Sequence, residues 1–437
     1  MRVVRTLRHE TPIAGVGLTA TYLLQMSAFH FLGGSIYLFP WDWTGSDPVM
    51  VELGLEQSVY GLLSFAVGAV VVAPLVTRLF GVTKNVVVTT APEPLLAKVY
   101  LAVGVGFYLL SATLLGSIPT VSAVIGTGRA FLLVGLGMSA WVAFRSDKRF
   151  AFLLWVGAAM WLPLFTLISA GFLGFGTVAL LMVVAFFVSL NGIGSRGALV
   201  ALLCVYIGLS VYVTYMRDRK DIRDVVWTGG DIAARVQKVE NMVVGFEWFD
   251  PYNTDHLDRI DARLNQNTLV GAAVDYIGSN PKAFARGETL LEAFLALVPR
   301  IIWPDKPVFA GSGTWVSRYT GMTFEENTSV GMGQVFEFYI NFGTAGIVMG
   351  FLVFGTAIAV VDSVARSRLV VGNWPGFVLW YVPGTALLQA GGSLVEISSS
   401  AAAAAVAALL INRYVFLRLR PQSSVAATQH SLAGAAS

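Results

Sequence analysis

The sequence predicts an all-α, polytopic integral membrane protein with about ten transmembrane helices and one large extracytoplasmic helical loop. Of the 437 residues, 56% are hydrophobic and only 13% are charged, and the mean hydropathy is +0.70, whereas soluble domains carry about 25% charged residues. Apolar runs of about 20 residues, the length that crosses a bilayer as a helix, recur along the chain. Residues 216–334 differ, because they hold 13 of the 29 Lys and Arg and 16 of the 26 Asp and Glu.

Seven predicted spans precede this charged segment and three follow it. We place them at about 13–36, 58–80, 95–115, 119–144, 150–169, 172–190, 197–215, 335–361, 374–392 and 395–416. The chain is thus divided into spans one to seven (1–215), the extracytoplasmic loop (216–334), spans eight to ten (335–417) and a cytoplasmic tail (418–437). We interpret the first run as an uncleaved span, since a cleaved signal peptide has a shorter apolar core and a small-residue cleavage site.

The positions of Lys and Arg predict the orientation of the spans, because short cytoplasmic loops are enriched in these residues. With the amino terminus inside, the short outer loops contain no Lys or Arg; these loops are 40–57, 116–118, 170–171 and 393–394. We therefore expect both termini in the cytoplasm and the protein in the inner (cytoplasmic) membrane. The stretch RDRKDIRD (217–224) runs against the rule on the outer side, but aspartates interleave with its cations, and long loops tolerate such charge.

Periodic apolar residues predict helices within the outer segment. Asp231 is expected to cap the first of them. Its apolar face consists of Ile232, Val236, Val239, Val243 and Phe246. A second pattern, DHLDRIDARLNQNTLVGAAVDYI, continues to Asn280-Pro281. The apolar stretch ETLLEAFLALV is too short to cross a bilayer, so we expect a re-entrant or interfacial helix that ends before Pro299.

The stretch LVPRIIWPDKP (297–307) places cations and a tryptophan on a turn stiffened by prolines. Arg300 and Lys306 could hold a phosphate or pyrophosphate there, Arg as a planar fork and Lys as a point charge. The alternative is an interfacial anchor, in which Trp303 and the cations mark the headgroup zone. The Gly- and Ser-rich stretch AGSGTWVSR follows and ends in Arg318; we interpret it as an anion-binding loop or as a flexible one.

Polar residues inside apolar runs give the other candidates. Glu337 and Asn341 lie four residues apart, on one helical face at the start of the eighth span. A carboxylate there is costly unless it faces protein or water, so Glu337 is the candidate catalytic residue, with a structural carboxylate as the alternative. Arg129 lies near the middle of the fourth span or at its outer rim. Arg196 opens the seventh span, where the positive-inside rule also explains it. Glu396 faces either the same outer cavity or the headgroups.

Several kinds of site are missing from the sequence. There is no Gly-Lys phosphate loop for a nucleotide, and no Asp-x-Asp pair lies in a predicted cytoplasmic loop. The four histidines are far apart and the single cysteine, Cys204, lies in an apolar run, so the sequence predicts neither a metal site nor an internal disulfide. We expect no metal, no cofactor and no nucleic-acid partner. A reaction on the outer face must then use a donor that carries its own leaving group, such as a lipid-linked pyrophosphate.

The order of these motifs resembles that of bacterial oligosaccharide repeat-unit polymerases, the Wzy-type O-antigen polymerase family. The matching features are NGIGSRGALV at the start of a span, a large loop, LVPRIIWPDKP, a Gly-rich stretch, and EFYINFG followed by TAGIVMGFLVFG. The motifs cover about 190–355, and the hydropathy pattern covers the whole chain. The string Pro-Arg-x-x-Trp-Pro-x-Lys-Pro is the most specific of them.

The resemblance implies a membrane glycosyltransferase. Such enzymes move a growing glycan from one undecaprenyl pyrophosphate to the sugar of another lipid-linked unit at the periplasmic face. It places pyrophosphate binding on Arg300, with Lys306 and Arg318 as neighbours. Arg196 joins them if it reaches the same cavity, although the predicted topology puts it on the other side, and Arg129 is a further candidate.

The implied partners are the lipid-linked oligosaccharide donor and acceptor, membrane lipids, a flippase and a chain-length regulator. Two alternatives stay open. A ligase would pass the same donor to another acceptor, as O-antigen ligases do. A transporter or flippase would show internal repeats and several charges near the middle of the membrane, and the sequence has no repeat.

Overall fold

The structure is a computed structural model that describes residues 15–39, 43–79, 94–111, 119–174, 177–178, 181–182, 195–298, 302–307, 311–323 and 330–419. Every regular element in these residues is a helix. In chain order they are α1 (Leu18–Met26), α2 (Pro48–Leu79), α3 (Pro94–Ser111), α4 (Pro119–Gly126), α5 (Gly128–Arg145), α6 (Arg149–Met160), α7 (Leu162–Ala170), α8 (Ser195–Trp227), α9 (Ile232–Val244), α10 (Thr254–Leu264), α11 (Asn267–Ser279), α12 (Glu288–Ala296), α13 (Ser312–Thr320), α14 (Gly333–Val370), α15 (Trp374–Ala386) and α16 (Leu394–Leu419). Short helical turns continue α1 as far as Leu38.

The described residues include five helices that are long and apolar enough to cross a membrane. These are Pro48–Leu79, Ala123–Phe144, Arg149–Ser169, Gly333–Val370 and Leu394–Tyr414, and a shorter apolar helix covers Pro94–Leu110. All five overlap predicted spans, so the helical membrane class agrees with the sequence. The sixth predicted span (172–190) lies largely outside the described residues. The number of ten spans and their orientation stay predictions.

Helix α14 lies at the centre and packs against α1, α2, α11 and α15. Its fully buried side chains include Phe336, Ile340, Ile347 and Phe351. Small residues let its neighbours approach one another closely. A Cβ atom on Gly54 of α2 would overlap the backbone of Asn267, and one on Gly271 of α11 would overlap the Met50 carbonyl. The segment 216–334 is thereby packed directly onto one of the five long apolar helices.

A buried polar network fixes the start of α11 against α1 and α2. The Asn267 amide donates to the backbone oxygen of His30 at 2.7 Å, and the Ser58 hydroxyl donates to Asn267 Oδ1 at 2.9 Å. The chain turns at Asn265 and Gln266. The backbone N–H of Gln266 donates to the Phe29 oxygen at 3.0 Å. The helical pattern predicted over DHLDRIDARLNQNTLVGAAVDYI is divided into two helices, α10 and α11, because these tertiary hydrogen bonds outweigh helical continuity.

The first half of helix α8 is apolar, and its second half contains the charged stretch 217–224. Helices α9 and α10 pack against α8. Asp231 caps α9 by accepting from Ala234 N at 2.7 Å, as predicted. The predicted apolar face of α9 is only partly buried: Val239 is buried, whereas Ile232 and Val243 are exposed. Near the start of α10, Glu247 accepts from Arg217, which links α8 to this part of the segment.

Candidate functional site

The ends of α12, α13, α14 and α16 meet on the outer-segment side of the fold, and they position the candidate site. Helix α14 contains a break there. Phe342 has φ −144°, and Gly343 has φ 62° and ψ −152°, a conformation that is open essentially only to glycine. The break separates the first turns of α14, which carry Glu337, from its long apolar part. The short helical piece can therefore take a direction of its own.

Asn341 closes this short piece and joins it to α12. Its side-chain oxygen accepts from Gly287 N at 2.8 Å, and its amide donates to the Thr289 hydroxyl and to the Glu337 backbone oxygen, both at 2.7 Å. Asn341 is completely buried. The spacing of four residues therefore placed Asn341 and Glu337 on one face, as the sequence predicted, and the structure turns that face inward.

Glu337 is completely buried at the start of α16. Its Oε2 atom accepts from Leu394 N at 2.7 Å, so the carboxyl group lies at a helix amino terminus, where negative charge is stabilised. Its Oε1 atom is buried without a well-formed hydrogen bond among the described residues, although the Thr289 hydroxyl lies close enough to donate one. The Glu337 carboxyl group thus links α14 to α16. Other carboxylates lie close enough for their charges to act on it.

Glu396 is one of these carboxylates, and its role is structural. Its Oε2 atom accepts from Ser393 N at 3.0 Å, while Glu396 N donates to the Ser393 hydroxyl at 3.2 Å. This reciprocal pair is a capping box at the start of α16. The pattern Ser-x-x-Glu in the sequence indicates such a cap. The two alternatives expected for Glu396 were the outer cavity and the headgroups, and the structure instead places it in the cap of α16.

Glu292 is a functional candidate that the sequence reasoning missed. It lies on α12, and its charge acts on Glu337. Its Oε2 atom is buried and has no hydrogen-bond partner among the described residues. Burial raises the pKa of the Glu292 carboxyl above its ordinary range, the charge of Glu288 adds to this shift, and a polar contact with Trp315 opposes it. The feature of the sequence that could have identified Glu292 is an acidic residue inside an apolar helix that is too short to span the membrane.

Arg318 on α13 supplies a cation to the same region. Its side chain is 59% exposed, and its Nη1 atom lies 3.9 Å from Glu288 Oε2. The guanidinium lies 5.5 Å from the centre of the Trp315 ring and 5.7 Å from that of Tyr319. The expected loop at 310–318 is wrong from Ser312 onward, because the residues from there to Thr320 form a helix that aims Arg318 outward.

Lys306 is buried and holds the end of α12. Its Nζ atom donates to the backbone oxygens of Ala296 at 3.1 Å and Val298 at 3.0 Å, and a cation at these carbonyls also complements the helix dipole. The structure thus gives Lys306 a helix-capping role. The outward face of the nine-residue helix α12 is apolar, with Phe294 68% exposed, which fits an interfacial helix.

The structure describes the other predicted site residues only in part. Arg300 lies outside the described residues. Arg129 and Arg196 are the second residues of α5 and α8, and only their backbone is described. The structure therefore brings Arg318 and Glu337 into one region with Glu292 and Lys306. Among the residues that the structure describes, no group of three or more His, Cys, Asp or Glu side chains could hold a metal ion.

Comparison with protein-family models, with curated proteins and with solved structures finds no match to this chain.

Proposed function

We propose that this chain is a membrane glycosyltransferase that polymerises lipid (undecaprenyl) pyrophosphate-linked oligosaccharide repeat units into a cell-surface polysaccharide at the outer face of the cytoplasmic membrane. One observation carries the proposal. An exposed guanidinium, that of Arg318, lies in the same region as a carboxyl group of raised pKa, that of Glu292, beside the apolar interfacial helix α12. Glycan transfer from such a donor needs a cation for its anionic head, a membrane surface for its lipid tail and a proton acceptor for the attacking hydroxyl of the acceptor sugar.

The proposed reaction exchanges one bond at the anomeric carbon. A hydroxyl oxygen of the acceptor sugar attacks this carbon, and the bond from the carbon to the pyrophosphate oxygen breaks. The pyrophosphate leaves with the bonding electron pair, and its developing charge is stabilised by cations. We assign this role to Arg300 and Arg318, while Lys306 holds α12 in place. The hydroxyl proton passes to a carboxylate. No step of this scheme uses a metal.

Two carboxylates are candidates for the proton acceptor. The sequence-based hypothesis assigns the role to Glu337. The geometry favours Glu292, because Glu337 is completely buried with one oxygen bound to Leu394 N, whereas the Glu292 side chain is partly exposed and its buried Oε2 atom has no hydrogen-bond partner in the described part of the chain. Glu337 then acts as a positioning residue that holds α12, α14 and α16 together.

The proposal includes the predicted topology. Ten spans cross the inner membrane, both termini face the cytoplasm, and residues 216–334 lie outside with the site. A flippase would deliver the lipid-linked units, and a chain-length regulator would act on the product. The ligase alternative uses the same donor and the same chemistry, and it differs only in the acceptor.

Substitution of the cations tests the proposal. We expect Arg300→Ala to abolish polymer, Arg300→Lys to retain a fraction, and Arg318→Gln to lower the yield about ten- to hundredfold, since a charge-assisted hydrogen bond is worth roughly 1.5–3 kcal/mol. Lys282→Gln is the matched control, because Lys282 is an exposed cation of the same segment. The measurement is polymer length and yield on a gel, normalised to membrane-inserted protein.

The outcomes separate the alternatives. Normal polymer from both Arg300→Ala and Arg318→Gln would reduce these residues to interfacial anchors and overturn the site. A parent protein that transfers single glycans to a different acceptor, without a ladder of lengths, would show a ligase. A parent protein that moves lipid-linked units across vesicles without joining them would show a flippase.

A further inference from the structure

The stretch RDRKDIRD, which no step of the proposed reaction uses, contributes to a second cationic cluster. It lies in the half of α8 that extends beyond the apolar run. At about 100° per residue, Arg219 and Arg223 are only about 40° apart around the helix axis. Arg263 lies on α10, which packs against α8; one turn earlier on α10, Arg259 Nη1 donates to the Val213 oxygen of α8 at 3.3 Å. The fold thus places three arginines on two packed helices, close enough for their charges to act on one another.

The neighbouring carboxylates do not neutralise this cluster. Asp218, Asp221 and Asp224 lie about 100° or more around α8 from Arg219 and Arg223. Asp218 pairs with Arg217 at 2.7 Å, and Asp221 pairs with Lys238 at 3.3 Å. Among the described residues, none of the three clustered arginines has a carboxylate within salt-bridge distance. The aspartates that seemed to balance the stretch in sequence therefore face elsewhere in the structure.

Other contacts hold the cluster in place. The Arg223 guanidinium lies 4.2 Å from the centre of the Phe172 ring and 5.3 Å from that of Trp227, and Arg223 Nε donates to the Gly171 oxygen at 3.4 Å. On the same face of α8, the Tyr212 hydroxyl is buried and has no hydrogen-bond partner within the described part of the chain. One arginine is thus fixed by aromatic rings, and an unused hydroxyl lies on the same helix face.

The electrostatics of the cluster are unfavourable without a ligand. Burial lowers the pKa of the Arg263 guanidinium, and the charge of Arg219 lowers it further. Burial also lowers the pKa of Arg223, and the charges of Arg219 and Arg263 add to this shift. Like charges held together by a fold are costly, and an anion bound between them removes the cost.

The position along α8 indicates which anion. The predicted seventh span ends at residue 215, so at roughly 1.5 Å per residue Arg219 lies about 6 Å beyond its end. The Arg223 side chain contacts Gly171 and Phe172, which lie at the predicted outer boundary between the fifth and sixth spans. The headgroup zone extends about 5–7 Å beyond the hydrocarbon core. The exposed rings of Phe172 and Trp227 lie beside Arg223, and indole rings are favoured at membrane interfaces.

From this geometry we infer that Arg219, Arg223 and Arg263 form a binding site for a phosphate group at the level of the lipid headgroups. The guanidinium forks suit phosphate oxygens. The inference stands independently of the proposed reaction, because the site shares no residue with it. The phosphate belongs either to a bilayer phospholipid or to a soluble phosphate compound.

The test uses the full chain with the double substitution Arg219→Gln/Arg263→Gln. Arg223 stays unchanged, because it packs against two rings. The control is Lys220→Gln/Lys282→Gln, which removes the same charge from two exposed cations outside the cluster. Melting temperature is measured in nonionic detergent, with and without inorganic pyrophosphate, and in vesicles of phosphatidylcholine alone or mixed with phosphatidylglycerol. Pyrophosphate binding is measured by calorimetry.

We expect the double substitution to change the melting temperature in opposite directions without and with the anion. In anion-free detergent the double variant melts above the parent, because like-charge repulsion is removed. With the anionic probe it melts below the parent, and its pyrophosphate affinity falls at least about tenfold, while the control follows the parent. If the double variant loses only the parent's response to phosphatidylglycerol, the ligand is a phospholipid; if it loses the parent's response to pyrophosphate, the ligand is a soluble phosphate compound. Absence of both responses, or an equal loss in the control, would overturn the site.

Discussion

At the scale of single residues, burial separates carboxylates that look alike in the sequence. Glu337 is completely buried at a helix amino terminus, and Asp362, at the other end of α14, accepts from Val16 N at 2.8 Å at the start of α1. Both fix other helices against α14. Glu396 belongs to a capping box. Glu292 alone of these four combines a partly exposed side chain with a buried oxygen that has no partner among the described residues.

Substitution of the two candidate bases distinguishes their roles. We expect Glu292→Gln to lower polymer formation about 10²- to 10⁴-fold, the range for loss of a general base. Glu337→Gln should keep most activity, because its amide oxygen still accepts from Leu394 N. Glu337→Leu should lose about 1–3 kcal/mol of stability, since that buried N–H loses its acceptor. Polymer yield and melting temperature are measured together. Complete loss of polymer in a stably folded Glu337→Gln protein would return the catalytic role to Glu337.

The pH dependence of the parent protein gives a separate test of Glu292. A general base must be deprotonated to act, and burial raises the pKa of Glu292. The rate should therefore rise with pH through a pKa above the ordinary range for glutamate and fall as the pH drops below it. In Glu292→Gln this rise should disappear from the residual activity. If the same rise persists in the variant, another group titrates.

At the scale of elements, the break at Phe342 and Gly343 decides where the site lies. Without it, α14 would be one straight helix, and the short piece that carries Glu337 would take the direction of the long apolar part. Asn341 ends the short piece and accepts from the backbone N–H of Gly287, the residue before α12. Backbone conformation at one glycine thus sets the relative positions of α12, α14 and α16.

Substitution of Gly343 tests the importance of this break. Gly343→Ala should lower stability by about 1–3 kcal/mol, because the observed φ and ψ are costly for any other residue. Gly208→Ala is the control. It lies inside α8 with open space around the added Cβ atom, so it should be neutral or slightly stabilising. The measurement is thermal unfolding in detergent. Equal effects of the two substitutions would show that the break is not needed for stability.

At the scale of the whole molecule, charge separates the membrane part from the outer segment, while close packing joins them. Helix α11 belongs to the segment predicted outside, yet it packs on α2 through Gly54 and Gly271. The segment is therefore a fixed part of the fold, and its orientation decides on which side of the membrane the site acts.

Cysteine labelling tests the predicted orientation. In a Cys204→Ser background, Lys282→Cys should react with a membrane-impermeant maleimide in intact cells, because the segment 216–334 is expected outside. Lys148→Cys should react only after the membrane is opened. Both lysines are exposed in the structure, so accessibility to the reagent depends on the side of the membrane. The reverse pattern would invert the topology and move the proposed site to the cytoplasm.

The amino-acid sequence by itself determined the helical membrane class, the overlap of predicted spans with the five long apolar helices, the Asp231 cap and the shared face of Glu337 and Asn341. These predictions follow from the local periodicity and composition of each helix, which do not depend on residues elsewhere in the chain. Only the tertiary structure decided which side chains meet. It turned Lys306 onto the end of α12, brought Glu292 and Arg318 into one region, and packed α10, which carries Arg263, against α8, which carries Arg219. Burial and charge at these positions depend on neighbours that are distant along the chain, and no local pattern encodes them.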